Sequence, residues 1–264
     1  MIINGQYIND KDIIKIYRNR YNGEYEALLN VYINLNNNYT NTMIKTGIYY
    51  INEFKLSDNF IVVDDDLIVN LDNILMTTKD NSLFLKSISK KDINGKFINY
   101  NIKISNNVEE NFEKVSNYTR SKIVVDKYGR DVLLNTSLIN NIVVEDTRLI
   151  VNFVTNVSLG FSDDIIPSFE IIDFSNDIER DNIIDEMIGD NFRELFYNKR
   201  MFINLDNVYL IKVDERRDRL IYNFNSNIYK VLNDKRVLST VHVYEQFEDT
   251  ELLYETFNEL SMRV

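Results

Sequence analysis

Read for its alternation of apolar and polar positions, the chain is dominated by period-two segments broken by turn residues. Asn22-Gly23 is a two-residue hairpin signal, because a type I′ turn needs positive φ at both central positions, and it predicts a strand around Ile14 to Arg20 joined to one from Glu24 to Ile33. Asn94-Gly95 repeats the device ahead of Phe97 to Ile104, whose alternation places Ile98, Tyr100, Ile102 and Ile104 on one face. Further strands are expected at "IVVDKYGRDVLL", turning at Tyr128-Gly129, and at "NIVVED", "TRLIVNFVTNVSL" and "PSFEIIDF". Met201 to Leu205, Tyr209 to Val213, Arg219 to Phe224 and Val241 to Tyr244 read the same way, with "DERRD" as a hairpin tip.

Three segments switch to helical spacing. Asn107 followed by Glu110 has the spacing of a capping box, with Val108, Phe112 and Val115 recurring behind it, and predicts a helix over 107–120. Asn176 and Glu179 repeat that spacing before Ile184, Met187, Ile188, Phe192, Leu195 and Phe196, which predicts a helix over 177–199 interrupted only by Gly189. A last helix over 250–262 would bury Leu253, Phe257 and Leu260. The fold class that follows is α+β, mostly antiparallel hairpins and sheets with two or three amphipathic helices. The best domain boundary is near Ser105-Asn106, giving a β-rich hairpin domain over 1–105 and an α+β domain over 106–264; a single domain is the alternative. The recurring Asn-x-x-Glu cap hints at related units.

Composition sharpens this picture in a few places. A chain of 264 residues with 44% hydrophobic residues buries a sizeable core. No apolar run reaches the roughly 18 residues of a membrane span, and no signal-peptide pattern opens the chain, so neither membrane insertion nor signal-directed secretion is expected. Cysteine is absent, which excludes disulfides and thiolate chemistry. One Ala, one Pro and no Trp, beside abundant Asn, Ile, Asp and Tyr, indicate an A/T-rich coding source and favour strand over helix.

The net charge of −11 argues against sequence-independent nucleic-acid binding. That charge is segregated. Residues 163–194 hold eleven acids and two arginines, whereas 79–103 hold six lysines and two aspartates. Complementary faces of this kind steer protein association.

Candidate chemistry is concentrated in "IVVDDDLIVNLDNIL", residues 61–75. This apolar-DxD-apolar form resembles the metal-binding motif of nucleotide-sugar glycosyltransferases. The resemblance implies that Asp64 and Asp66 hold Mn²⁺ or Mg²⁺ bridging sugar-nucleotide phosphates, with hard carboxylate oxygens neutralising a leaving diphosphate. The same residues fit an acidic turn between two buried strands, since Asp tolerates turn geometry. The family's nucleotide-binding α/β half has no counterpart in the roughly sixty residues before the motif.

His242, the sole histidine, sits in the alternating "STVHVYEQ" and reads as a sheet residue. Asp181, Asp185 and Glu186 follow the exposed side of a helix. Arg216, Arg217 and Arg219 at the "DERRDR" tip are candidates for contact with a phosphate or an acidic partner.

The reading these patterns favour is a non-enzymatic structural protein with no cofactor, assembling with itself or with partner subunits. A tailed-phage virion component of the tail, neck or baseplate, located in the virion or the host cytoplasm, fits the composition. The metal-dependent glycosyltransferase is the first alternative. An acidic ring-shaped DNA processivity clamp is the second, although such a clamp needs basic helices along its channel and the principal helix here is acidic.

Overall fold

The computed structural model describes residues 2–3, 6–9, 13–34, 42–51, 54–55, 57–64, 66–78, 82–85, 90–91, 97–98, 101–103, 108–118, 121–154, 169–197, 199–232 and 235–262. The chain forms two compact units, one built mainly from Met1–Ser137 and the other from Leu138–Val154 with Pro167–Val264. Each is sheet-dominated and antiparallel, so the protein is α+β.

In the first unit a short hairpin, β1 (Ile2–Ile3) and β2 (Gln6–Tyr7), precedes β3 (Ile13–Arg18), β4 (Tyr25–Asn34), β5 (Thr42–Ile51), β6 (Phe54–Lys55), β7 (Phe60–Asp64) and β8 (Leu67–Asn70). There follow β9 (Ile74–Thr78), β10 (Ser82–Leu85), the short pair β11 (Lys90–Lys91) and β12 (Phe97–Ile98), β13 (Asn101–Lys103), α1 (Val108–Tyr118), β14 (Ser121–Val125) and β15 (Asp131–Asn135). The second unit contains β16 (Ile139–Glu145), β17 (Arg148–Phe153), β18 (Phe169–Asp173), α2 (Asp177–Met187), β19 (Phe192–Tyr197) and β20 (Lys199–Asn204). It ends with β21 (Val208–Asp214), β22 (Arg219–Leu232), β23 (Lys235–Gln246) and α3 (Thr250–Ser261).

Both units repeat one module. The three large sheets have the orders β5-β4-β3-β8-β7, β13-β10-β9-β15-β14 and β18-β17-β16-β20-β19. In chain order each is therefore third, second, first, fifth, fourth: a three-strand meander, then a hairpin that returns beside the first strand. Where a helix stands between the third and fourth strands it is α1 or α2. The final sheet, β21-β22-β23 followed by α3, is the first half of the same module.

The match extends to single residues. Every first strand carries a bulge at its second position: Ile13, Ile74, Ile139 and Val208 pair with Leu29, Leu85, Phe153 and Phe224, and the residue two further on pairs one back on the partner.

An asparagine four residues before the next first strand explains how modules join. Asn70, Asn135 and Asn204 each end a fifth strand, and a single turn of 3₁₀ helix follows. The Asn70 and Asn204 side chains accept from the Asp72 and Asp206 backbone N–H at 2.9 and 3.1 Å, a local bond that Asn forms readily and that stops the strand. Side-chain amides of these turns then donate to the backbone carbonyl that opens the module's own first strand. Asn70 and Asn73 reach Ile13 O at 2.8 and 3.0 Å, Asn135 reaches Ile74 O at 3.0 Å, and Asn207 reaches Ile139 O at 2.7 Å. The bulge leaves that carbonyl outside the ladder's ordinary pairing, and a buried carbonyl needs a donor.

Packing follows the modules. In the first unit one core gathers Ile13, Ile16, Ala27, Ile51, Phe60 and Ile68, and another Val69, Leu71, Ile74, Leu83 and Leu133 with Val115 and Phe112 of α1. In the second unit Leu195, Ile203, Leu220, Tyr222, Phe224 and Val243 pack with Leu253 and Leu260 of α3.

The helices over 107–120 and 250–262 are found close to their expected bounds, as α1 and α3. The helix expected over 177–199 is corrected: it stops at Met187, and Phe192–Tyr197 is β19, paired with β20 from Phe192↔Asn204 to Tyr197↔Lys199. Gly189-Asp190-Asn191 breaks it, and Leu195 is buried from a strand. The cap expected there is present, with Asn176 Oδ1 accepting from Glu179 N–H at 2.9 Å and Glu179 from Ser175 N–H at 3.2 Å.

The Asn22-Gly23 hairpin forms, but only Gly23 has positive φ (73°). Its loop is therefore longer than a type I′ turn, closed by Gly23 N–H to Asn19 O at 2.8 Å. Asn94-Gly95 lies outside the described residues, as do Tyr100 and Ile104 of the strand expected after it. That strand is divided: Phe97–Ile98 pairs with Lys90–Lys91, and Asn101–Lys103 with β10.

Candidate functional site

The aspartate run forms the tip between β7 and β8. Asp64 pairs with Leu67 through a bulge after Val62, and Asp66 follows in the turn. Asp66 is exposed: its carbonyl accepts from Arg18 N–H at 2.9 Å, and its carboxylate stands 3.9 Å from the Arg18 guanidinium. Asp65 and the Asp64 side chain lie outside the described residues. Among the described residues no three His, Asp or Glu side chains converge on a common point.

The arginine tip is folded back on the start of α3. Arg219 donates to Asp214 at 2.9 Å and its guanidinium lies 4.0 Å above the Tyr244 ring. The Gln246 side chain donates to the carbonyls of Arg217 and Asp218, Thr250 to the Asp218 carboxylate at 2.9 Å, and Tyr254 to Glu215. Arg216 and Arg217 remain exposed.

His242 lies on β23 opposite Asn223, with its ring edge-on to Tyr244 and Nε2 against the Tyr244 hydroxyl. Asp181 is ion-paired with Arg180 and Arg200, at 3.0 and 3.1 Å, while Asp185 and Glu186 are exposed. Glu194 and Asp181 hold Arg200 above the usual guanidinium range, the Glu194 hydrogen bond being the largest contribution.

The strongest polar arrangement was not legible in the sequence. Arg193 of β19 donates two bonds to Glu245 of β23, at 3.0 and 2.7 Å, and Tyr222 of β22 donates its hydroxyl to the same carboxylate. Burial works to lower the Arg193 pKa, but the hydrogen bond and charge of Glu245 outweigh it, and the net shift is upward. Burial first, and the Glu245 charge second, push the Tyr222 phenol far above its ordinary value, with Arg193 opposing. The knot fastens β19 to the last sheet. With both charges satisfied and the phenol locked as a proton donor, its chemistry is that of a cross-tie.

Beside β21 opens a cleft of about 290 Å³, lined by Leu205, Val208, Ile211 and Leu260 with Asp190 and Asp206. Asn191 crosses it, donating to Asn204 at 2.9 Å and Asp206 at 3.1 Å.

No family model matches the chain, and neither does any curated protein or solved structure.

Proposed function

We propose that this chain is a non-enzymatic structural protein that assembles, with copies of itself or with partner subunits, through the edges of its sheets. The observation carrying this reading is β21, which among the described residues pairs with β22 alone. On β21, Tyr209 and Leu210 are 53% and 38% exposed, whereas Met76 and Asn141, at Leu210's position in the second and third modules, are 3% and 0% exposed. An uncovered strand edge with apolar side chains is a template for another strand. The segregated charge supports the same reading, because opposed acidic and basic faces steer association and set its register.

The A/T-rich composition and absence of cysteine fit a tailed-phage virion component of the tail, neck or baseplate, acting in the virion or the host cytoplasm. No helix among the described residues is long and apolar enough to cross a membrane.

Sedimentation of the pure protein across concentration and salt, beside recovery of partners from native particles, tests the reading. Salt-sensitive oligomers or a recovered subunit are expected. A monomer under every condition, with no partner, removes it.

A further inference from the structure

The two Asn-Leu-Asp-Asn turns each stand beside a second repeated triplet. Asp58-Asn59-Phe60 leads into β7 and Asp190-Asn191-Phe192 into β19, the fourth strands of their modules. Phe60 pairs with Asn70 and Phe192 with Asn204. The Asn59 carbonyl accepts from Leu71 N–H at 2.9 Å, and the Asn191 carbonyl from Leu205 N–H at 2.8 Å. The Asn59 side-chain amide donates to Asp72 Oδ2 at 3.4 Å, as the Asn191 amide does to Asp206 Oδ2 at 3.1 Å. One constellation is therefore built twice, from the same residue types with the same bonds.

The two copies differ at the other carboxylate oxygen. Asp72 Oδ1 accepts from the hydroxyl of Tyr118, in the last turn of α1, at 3.4 Å. Leu71 and Ile74 of that copy are buried in the core with Val115 and Phe112. In the second copy no described side chain donates to Asp206 Oδ1. Leu205, Val208 and Ile211 are only half-buried there, and with Leu260 they form the apolar lining of the 290 Å³ cleft.

We propose that this cleft binds an external phenol, its ring on Leu205, Val208, Ile211 and Leu260 and its hydroxyl donating to Asp206 Oδ1 as Tyr118 donates to Asp72. The inference does not depend on the assembly reading. Size and polarity select the ligand. An apolar cavity of about 150 Å³ holds one benzene ring, and drug-sized ligands occupy about 300–1,000 Å³. The cleft thus has room for one substituted ring and is too small for a nucleotide sugar. The Asn191 amide already donates to Asn204 and Asp206, so the polar groups left at the rim are the acceptors of Asp190 and Asp206. Acceptors of this kind take a hydrogen-bond donor and repel an anion. A phenol, with a pKa of about 10, arrives protonated at neutral pH. A free phenol and the tyrosine side chain of another subunit share this chemistry.

The test is a titration of the full chain with p-cresol, which is the tyrosine side chain alone, read from the methyl resonances of Leu205, Val208, Ile211 and Leu260. Toluene, the same ring without the hydroxyl, is the control. Saturable shifts at these methyls are expected, with toluene about tenfold weaker because it makes no hydrogen bond to the carboxylate. Asp206→Ala, checked for folding by circular dichroism, should weaken p-cresol to the level of toluene and leave toluene unchanged. Equal affinities for the two probes in the parent overturn the inference whether or not the variant folds. So does the absence of saturable shifts at the cleft, or a folded Asp206→Ala chain that binds p-cresol as the parent does. Sedimentation with and without saturating p-cresol then separates the sources. Oligomers that dissociate assign the seat to a tyrosine of a neighbouring subunit, and a sedimentation profile left unchanged assigns it to a free phenol. A parent that is monomeric throughout and still binds p-cresol at the cleft removes self-assembly and leaves this inference standing.

Discussion

Asn70-Leu71-Asp72-Asn73 in the first unit and Asn204-Leu205-Asp206-Asn207 in the second have the same sequence and nearly the same backbone, with cap φ, ψ of −81°, 124° and −85°, 110°. Their surroundings differ. Leu71 and Asn73 are 3% and 2% exposed, while Leu205 is half-buried at the wall of a cleft. The turn sequence thus sets local geometry through an asparagine side chain, and burial depends on whether the strand that follows is flanked on both sides. β9 lies between β10 and β15; among the described residues β21 pairs with β22 alone.

The largest effect that sharpens this contrast comes from placing the same charge at the same module position. Met76→Lys buries an ammonium with no partner in place of a side chain only 3% exposed. It should cost at least about 4 kcal/mol, a large part of a domain's total stability of about 5–15 kcal/mol. Leu210→Lys, at a side chain 38% exposed, should change folding stability by no more than about 0.5 kcal/mol. Urea unfolding of the two variants at a dilution that keeps the parent monomeric is the measurement. Equal losses would mean that β21 is covered as β9 is.

A smaller difference separates the twin turns. Leu71→Ala removes a side chain from the core formed with Ile74, Leu83 and Leu133 and should cost about 3 kcal/mol through lost burial and the cavity left behind. Leu205→Ala, beside an existing cleft, should cost about 1 kcal/mol, because its surroundings are already open. Thermal melts of both at equal concentration decide it. If Leu205→Ala matched Leu71→Ala, the cleft would be filled in solution.

Much of this contrast was written in the sequence, at different depths. Hairpins at Asn22-Gly23 and Tyr128-Gly129 are legible because φ values of 73° and 76° at Gly23 and Gly129 need glycine. α1 and α3 are legible from caps and a 3.6-residue apolar period. The over-long second helix has a physical origin: Phe192, Leu195 and Phe196 fit helical spacing, whereas Phe192 and Phe196 also fit alternation, and only the turn residues Gly189 to Asn191 distinguish the two. The repeat left a trace, since "VNLDNIL" and "INLDNVY" share Asn-Leu-Asp-Asn between aliphatic neighbours. Its other copies, "LNTSLIN" and "INDKDII", retain only the asparagine, an apolar residue before it and an aliphatic four places on. What the turns at 70–73, 135–138 and 204–207 share is an asparagine amide donated to a backbone carbonyl at a bulge, which composition and periodicity do not record. The Arg193–Glu245–Tyr222 knot is less legible still, because its members lie far apart in the chain and each stands in an ordinary alternating strand.

That knot gives the last and smallest test, because it ties β19 to the sheet that contains β21. Folding pushes the Tyr222 pKa upward, so the folded chain keeps its proton after the unfolded chain, with a phenol pKa of about 10, has begun to lose it. The corresponding stability is whole below about pH 10 and is lost as pH rises beyond it, at about 1.4 kcal/mol per pH unit for one proton. Tyr222→Phe removes that proton linkage together with the hydrogen bond to Glu245. The variant should therefore be less stable than the parent at pH 8, and the gap should close by about 1 kcal/mol between pH 10 and 11. Urea unfolding of the pair at these pH values reads the difference directly and cancels the other sixteen tyrosines of the seventeen in the chain, which titrate alike in both proteins. A gap that stays constant would show that the Tyr222 phenol ionises as easily in the fold as outside it, and the knot would then be too wet to hold β19 to the last sheet.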